Sequence, residues 1–110
     1  MLKINTKNEI SLTRGDSGEF TVSLTDDTNA DYIMNEADFI TFSVKENISD
    51  NAPILQKTVY GKTTIEILPT DTAGFEFKKY WYDVQLNTSE GKVYTVVVPT
   101  ALYITEEVTV

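Results

Sequence analysis

YWYDVQLN, residues Tyr80–Asn87, is the clearest strand signal in this chain. Apolar or aromatic side chains occupy every second position, and the positions between them are polar except for Trp81. A two-residue period places successive side chains on opposite faces of a β-strand. We therefore predict a strand with one buried face. The predicted buried residues are Tyr80, Tyr82, Val84 and Leu86.

The same alternation recurs along the rest of the chain. Ile40, Phe42 and Val44 are expected to point inward, with Thr41, Ser43 and Lys45 facing water. Val93–Val98 is β-prone on both faces, and Pro99 is predicted to end that strand. The predicted strands besides Tyr80–Asn87 are Phe20–Leu24, Ile40–Lys45, Thr63–Leu68, Val93–Val98 and a last one from Leu102 to Thr105 that can continue to Val110.

Turn signals separate these strands at short spacing. Arg14–Gly18 is predicted to be a turn, and Tyr60–Lys62 and Ser89–Lys92 are predicted to be hairpin connections. A single helical turn is expected at Thr70–Gly74. About seven or eight short strands indicate an all-β, immunoglobulin-like antiparallel β-sandwich, with a small barrel as the alternative. Residues 1–110 are predicted to form one domain.

Tyr80 fits the tyrosine corner found in immunoglobulin-like sandwiches. The preceding strand runs into a bend, and Tyr80 stands two residues before the inward position Tyr82. The corner hydroxyl is expected to bond the backbone upstream, near Asp71. The alternative is that Tyr80 is simply a core aromatic residue. Either role concerns the fold and not a chemical activity.

The composition excludes several classes of function. The chain has no cysteine and no histidine, which removes disulfides, thiolate metal sites, the usual serine triad and the commonest general base. Its net charge of −8 disfavours nucleic acid and anionic membranes as partners. No run approaches the roughly 20 apolar residues of a membrane span, and the first residues lack the apolar segment of a secretory signal. No cofactor and no metal are expected.

Three motifs have both a functional and an ordinary interpretation. Arg14-Gly15-Asp16 spells an integrin-binding tripeptide but is also common turn chemistry. Asp27–Asp31, with Asp38 at a twelfth position, partly matches a calcium loop but lacks the glycine at its sixth position, so a solvated acidic loop is favoured. Ser43 and Lys45 could in principle form a catalytic dyad, yet both are expected on the same solvent-exposed face of one strand. We therefore predict no enzyme.

Exposed aromatic residues are the best indication of binding. Trp81 falls on the polar face of its strand, and Tyr94 lies in a strand that is apolar on both faces. Phe77 lies in the loop before Tyr80. We predict that Phe77, Trp81 and Tyr94 form a shared apolar patch, serving either as a subunit interface or as packing under the Phe75–Phe77 loop. The final β-prone stretch is expected to be an edge strand that pairs with a neighbouring chain, or the chain is one module of a longer protein.

Four segments together resemble small immunoglobulin-like modules of phages and prophages of Gram-positive bacteria, similar to the N-terminal domain of the baseplate upper protein. This chain has Phe77-Lys78-Lys79 where such modules often carry glycine. The segments are Gly15–Leu24, Ala37–Lys45, Leu68–Thr72 with Tyr80–Leu86, and Ile104–Thr109.

The resemblance implies a non-enzymatic structural protein of a phage tail or baseplate. It implies location in the virion after synthesis in the bacterial cytoplasm. The implied partners are further copies of the chain and other tail or baseplate proteins. The alternative is a carbohydrate-binding or adhesion module, in which Trp81 and nearby tyrosines stack on sugar rings.

Overall fold

The computed structural model describes residues 2–25, 28 and 30–106. A 3₁₀ turn at Pro69–Asp71 is the only helical segment in these ranges, so no helix there is long enough to cross a membrane. The turn at Pro69–Asp71 confirms that a single helical turn lies here, although it begins one residue before the predicted Thr70–Gly74. The strands are β1 Leu2–Ile4, β2 Ile10–Thr13, β3 Gly18–Thr21, β4 Phe39–Lys45, β5 Leu55–Tyr60, β6 Thr64–Ile67, β7 Lys79–Asn87 and β8 Val93–Thr105.

The strands form two sheets, which confirms the all-β sandwich-like fold. The larger sheet has the order β1-β2-β8-β7-β4-β5, and the smaller one pairs β3 with β6. All pairs are antiparallel except β2 with β8, which run parallel. That single parallel pair departs from the predicted antiparallel arrangement. The barrel alternative is wrong, because the two sheets remain separate.

The core lies between the two sheets and is centred on three aromatic rings. The Phe20 ring, from the smaller sheet, lies 5.4 Å from the Phe42 ring and 6.1 Å from the Tyr82 ring, both of the larger sheet. The Phe42 and Tyr82 rings are 5.5 Å apart. The two contacts of Phe20 are edge-to-face, and such contacts stabilise the core beyond the apolar area that each ring buries. The cluster therefore joins the two sheets.

The inward face of β4 is as predicted, but its outward face is not. Ile40, Phe42 and Val44 are completely buried. Ser43, expected in water, is also buried, because the Gln56 side chain from β5 covers it and donates a hydrogen bond to its Oγ at 3.1 Å. A neighbouring strand can thus bury an outward-facing polar residue once a hydrogen bond satisfies it.

The predicted strand end at Pro99 is wrong, because β8 continues through it to Thr105. The pairing register with β7 shifts between Val97 and Thr100, so Pro99 sits in a bulge where its missing N–H removes no ladder hydrogen bond. The predicted edge strand at the end of the chain is wrong for Leu102–Thr105, since this segment lies between β2 and β7. Residues 107–110 lie outside the described part of the chain.

Of the two predicted hairpins, one is confirmed. Ser89–Lys92 joins the antiparallel strands β7 and β8, with Gly91 at φ 87°. Tyr60–Lys62 is not a hairpin, because β5 pairs with β4 whereas β6 pairs with β3. The chain instead crosses there from the larger sheet to the smaller one, and Gly61, at φ 68°, donates its N–H to the Asp38 carbonyl. Both glycines occupy left-handed backbone conformations.

The start of β7 has the geometry of a tyrosine corner. Tyr80 is buried, and its hydroxyl accepts a hydrogen bond from the Glu76 backbone N–H at 2.8 Å. Tyr82, two residues later, is in the core. The hydroxyl does bond the backbone upstream, but the partner is Glu76 and not the predicted region near Asp71. The loop between them folds back toward Tyr80, so this hydrogen bond joins two residues that are only four positions apart in the sequence.

Candidate interaction surface

Trp81 lies on the outer face of the larger sheet, away from the core. It is opposite Lys45 of β4 and Ala101 of β8 in the strand register. The Lys79 ammonium lies 4.2 Å from the centre of its ring, and the side chain is half-buried. A cation at this distance is attracted to the ring face. One face of Trp81 is therefore covered by a neighbour on its own strand.

Phe77 is exposed on the loop before β7 and packs against Arg14. The Arg14 guanidinium carbon lies 4.1 Å from the centre of the Phe77 ring, and its Nη1 donates a hydrogen bond to the Phe75 carbonyl at 3.2 Å. The Asp16 N–H closes a turn on the Thr13 carbonyl. The Arg14-Gly15-Asp16 tripeptide is thus a turn, as predicted, with its arginine held against the loop.

Tyr94 lies on the opposite face of the sheet from Trp81. It is opposite Leu86 in the β7–β8 register, and Leu86 is buried on the inner face. Trp81 is an odd number of residues from Leu86, and burial alternates without interruption along β7. The predicted patch that joins Phe77, Trp81 and Tyr94 therefore does not form, because a sheet separates two of its members.

The first half of β8, Val93–Val98, is a free strand edge. Strand β2 pairs only with residues 102–105 of β8, and no strand in the described part of the chain pairs with residues 93–98 on that side. Val93, Tyr94 and Val98 are 57%, 50% and 66% exposed. The segment, VYTVVV, contains no charged residue. The sequence predicted Val93–Val98 as a β-prone stretch. That this stretch has no neighbouring strand on one side follows from the length of β2, which the sequence pattern of the stretch does not reveal.

The backbone of this edge carries hydrogen-bonding groups that pair with no strand among residues 2–25, 28 and 30–106. The Thr88 N–H donates to the Lys92 carbonyl, which makes these two residues a hydrogen-bonded pair of the β7–β8 ladder. Hydrogen-bonded and non-hydrogen-bonded pairs alternate in an antiparallel ladder. Val93 and Thr95 therefore point their N–H and C=O groups away from β7. At the far end, the Thr100 hydroxyl bonds the Val98 carbonyl, and Pro99 closes the edge.

A groove of about 360 Å³ lies beside the free edge, between the larger sheet and the residues Ser23–Thr25 and Tyr32, which follow β3. Its apolar walls come from Leu24, Leu86 and Val96, and its polar groups come from residues such as Tyr32 and Thr95. The larger sheet extends here beyond the cover that the smaller sheet provides. Tyr94 lines this groove, so its exposure follows from the unequal size of the sheets.

A buried carboxylate, Asp38, holds the loop beside this groove. Its Oδ1 accepts the Ser89 N–H at 2.8 Å, and its Oδ2 accepts the Tyr32 hydroxyl at 2.8 Å and the Asn35 N–H at 3.2 Å. The Ser89 bond, followed by the Tyr32 bond, holds the pKa of the Asp38 carboxyl below its ordinary value. The network joins the Tyr32–Asp38 segment to the β7–β8 hairpin.

These bonds also bear on the calcium-loop interpretation. The Asp38 carboxylate oxygens are engaged by donors of the protein. Asp27 and Asn29 of the motif lie outside the described residues. Within residues 2–25, 28 and 30–106, no three acidic side chains gather into a group that could hold a metal ion.

Ser43 and Lys45, the two members of the formal dyad, have different neighbours in the sheet. The Ser43 hydroxyl accepts the Gln56 hydrogen bond, while Lys45 lies opposite Trp81 in the register. Next to them, burial raises the pKa of Asp83, and the charge of Lys45 partly opposes that shift. On this face, the Ser43 hydroxyl is therefore hydrogen-bonded to Gln56, and Asp83 lies within the electrostatic influence of Lys45.

Compared with protein-family models, with curated proteins and with solved structures, the chain has no match in any of the three.

Proposed function

We propose that this chain is a structural module of a phage or prophage tail or baseplate, acting through contact with other protein chains. The observation that carries the contact role is the free edge of β8, six uncharged residues long, with apolar side chains exposed along it. An open strand edge is a ready template for another chain. The resemblance of the four sequence segments to phage modules supplies the biological setting.

The proposal includes no catalytic step and no cofactor. The side chains singled out for chemistry are held by neighbours: Ser43 by Gln56, Asp38 by Ser89 and Tyr32. These hydrogen bonds support a structural role for Ser43 and Asp38, because satisfied polar groups stabilise a fold. The proposed location is the virion, after synthesis in the bacterial cytoplasm.

Localisation on particles tests this proposal. Phage particles released from the host after prophage induction are purified and labelled with gold-conjugated antibody against the chain. We expect label at the tail or baseplate in electron micrographs and peptides of the chain in the particle digest. Particles that carry neither label nor peptides would overturn the proposal. A capsid-protein antibody controls for access and particle integrity.

A carbohydrate-binding or adhesion module is the second candidate, and Trp81 favours it. This ring stands on the polar outer face of the sheet, with Asp83 and Gln85 further along the same strand face. Aromatic rings beside polar side chains suit sugar rings and their hydroxyls. A glycan array tests this function: binding lost in Trp81→Ala and kept in Phe77→Ala supports it, whereas an array without signal rejects it.

A further inference from the structure

From the groove beside β8 we infer that this chain binds a neutral saccharide there, with a sugar ring stacked on Tyr94. The volume of the groove, about 360 Å³, lies in the range of small-molecule binding sites. The inference goes beyond the tail role. It shares its class of ligand with the second candidate function but not its site, because Trp81 lies on the opposite face of the sheet.

The first reason is that the groove combines apolar surface with hydroxyl groups. Its apolar surface comes from Leu24, Leu86 and Val96, and the Tyr94 ring is half exposed beside them. A pyranose ring has the same two properties, since its C–H face is apolar and its rim carries hydroxyls. Sites for such ligands pair apolar walls with a few polar groups. The lining residues that carry hydroxyls are Ser23, Thr25, Tyr32, Tyr94 and Thr95.

Charge is the second reason, because it excludes other classes of small ligand. Among the described residues, those that line the groove are all uncharged, whereas the chain as a whole has a net charge of −8. A phosphate or carboxylate ligand would therefore meet no cation in the groove and would be repelled by the surrounding protein. A purely apolar ligand would take hydroxyls of the groove out of water without giving them a partner. A neutral ligand that carries hydroxyls avoids both costs.

The third reason is that one wall of the groove is fixed by the fold. The Tyr32 hydroxyl donates a hydrogen bond to the Asp38 Oδ2 at 2.8 Å, and Asp38 is itself held by the Ser89 N–H. The bond to Asp38 raises the pKa of Tyr32, and Tyr94 lies close enough to add to that shift. A wall that is ordered in advance reduces the entropy lost on binding.

The backbone at the groove suits a compact ligand better than a peptide strand. Thr95 points its N–H and C=O groups away from β7, but the bulge at Val96 returns Val97 to pairing with Val84. The groups of one residue can bond sugar hydroxyls, whereas strand addition needs a row of them. The groove therefore favours a saccharide over a segment of another chain.

Titration of the ¹⁵N-labelled protein, followed by NMR, tests the inference. The probes are the neutral disaccharides cellobiose, lactose and diacetylchitobiose, each added to about 10 mM, where weak binding is measurable. At least one of them should shift the amide resonances of Leu24, Tyr32 and Thr95 in a saturable manner. Tyr94→Ala should weaken this binding about tenfold, because the stacking surface is lost. Tyr94→Phe keeps the ring and should weaken it by no more than about threefold.

The matched control is Tyr60→Ala, which removes an exposed tyrosine from β5 at the other edge of the larger sheet and should leave binding unchanged. Circular dichroism of each variant shows that it remains folded. The inference is overturned if no neutral disaccharide shifts any resonance, if the shifts gather around Trp81, or if Tyr94→Ala binds as tightly as the wild type. Shifts around Trp81 would support the second candidate function instead, and particle labelling decides the tail role separately.

Discussion

Asp38 is a buried carboxylate whose hydrogen bonds join two distant parts of the chain. Its partners are Tyr32 and Asn35 in the preceding loop and Ser89 in the β7–β8 hairpin. Donors arranged around a carboxylate favour its ionised form, which is why its pKa is lowered. The residue that resembled a calcium ligand in the sequence thus anchors the loop beside the groove.

Acid should therefore weaken the fold through Asp38. In the unfolded chain an aspartate titrates at about 3.9, whereas the folded value is lower. The stabilisation is fully present above the unfolded pKa and is lost as pH falls through the folded pKa. Urea unfolding followed by circular dichroism between pH 7 and pH 3 should show a falling midpoint.

Asp38→Asn is the matched variant. It should be less stable than the wild type at pH 7 and should lose less stability on acidification, because the titrating group is gone. Asp50→Asn, in an exposed loop, is the control for removal of a carboxylate. If Asp38→Asn and the wild type had the same pH dependence, the network would not be the source of the acid sensitivity.

Gly18 is required because there is no space for a side chain at this position, and not because of its backbone angles. A Cβ atom added there would lie 2.9 Å from the Leu2 Cβ and 3.3 Å from the Leu12 Cδ1. Gly18→Ala should therefore displace β1 and destabilise the protein by about 1–3 kcal/mol. Gly74→Ala, where an added Cβ meets nothing within 4 Å, is the control. Thermal unfolding measures both, and equal stability of the two variants would contradict this contact.

At the scale of elements, β7 is the strand that organises the molecule. It lies between β4 and β8 in the larger sheet, and its inward residues are all buried. The Tyr80 hydroxyl fixes the loop before it through the Glu76 N–H. Strand β8 follows β7 through a tight hairpin and accommodates Pro99 by a shift in register. The free edge exists because β2 covers only the end of β8.

Removing one hydroxyl tests the tyrosine corner. Tyr80→Phe keeps the ring in the core but leaves the Glu76 N–H without its acceptor, so we expect a loss of about 1 kcal/mol in the free energy of unfolding. Tyr103→Phe, on a partly exposed outward residue of β8, should change it by less than about 0.5 kcal/mol. Chemical denaturation of both variants gives the comparison. If Tyr80→Phe were as stable as the wild type, the hydroxyl would not contribute, and Tyr80 would act only as a core aromatic residue.

At the scale of the whole molecule, the two sheets have very unequal sizes. The smaller sheet has only two short strands, so its attachment depends on a few large side chains such as Phe20. The inner face of the larger sheet extends past it and forms the groove lined by Tyr94. The open β8 edge beside this groove has a separate cause, because β2 pairs only with the end of β8.

Truncation of Phe20 should show how much the aromatic contacts between the two sheets contribute to stability, compared with an exposed aromatic ring. Phe20→Ala removes both ring contacts between the sheets and should destabilise the protein by about 3–5 kcal/mol, a large share of the 5–15 kcal/mol typical of a domain. Phe77→Ala, which removes an exposed ring, should cost less than about 1 kcal/mol. Urea denaturation distinguishes the two. Similar losses in both variants would show that the aromatic cluster does not hold the sheets together.

The sequence by itself determined several strands with one buried face, such as β4 and β7, because a two-residue alternation of apolar and polar side chains is a local property. It did not predict β2 or β5, whose burial also alternates. Ile40, Phe42, Val44 and the inward residues of β7 were all predicted from it. It also predicted the turn at Arg14 and the hairpin at Gly91, whose chemistry lies within a few residues.

Only the tertiary structure decided which strands are neighbours, and the candidate surface depends on that. The burial of Ser43 requires β5 beside it, the donor of Asp38 at Ser89 is distant in the chain, and the continuation of β8 through Pro99 depends on its register with β7. Whether an edge is free depends on the length of a different strand, so no pattern within Val93–Val98 could have revealed it.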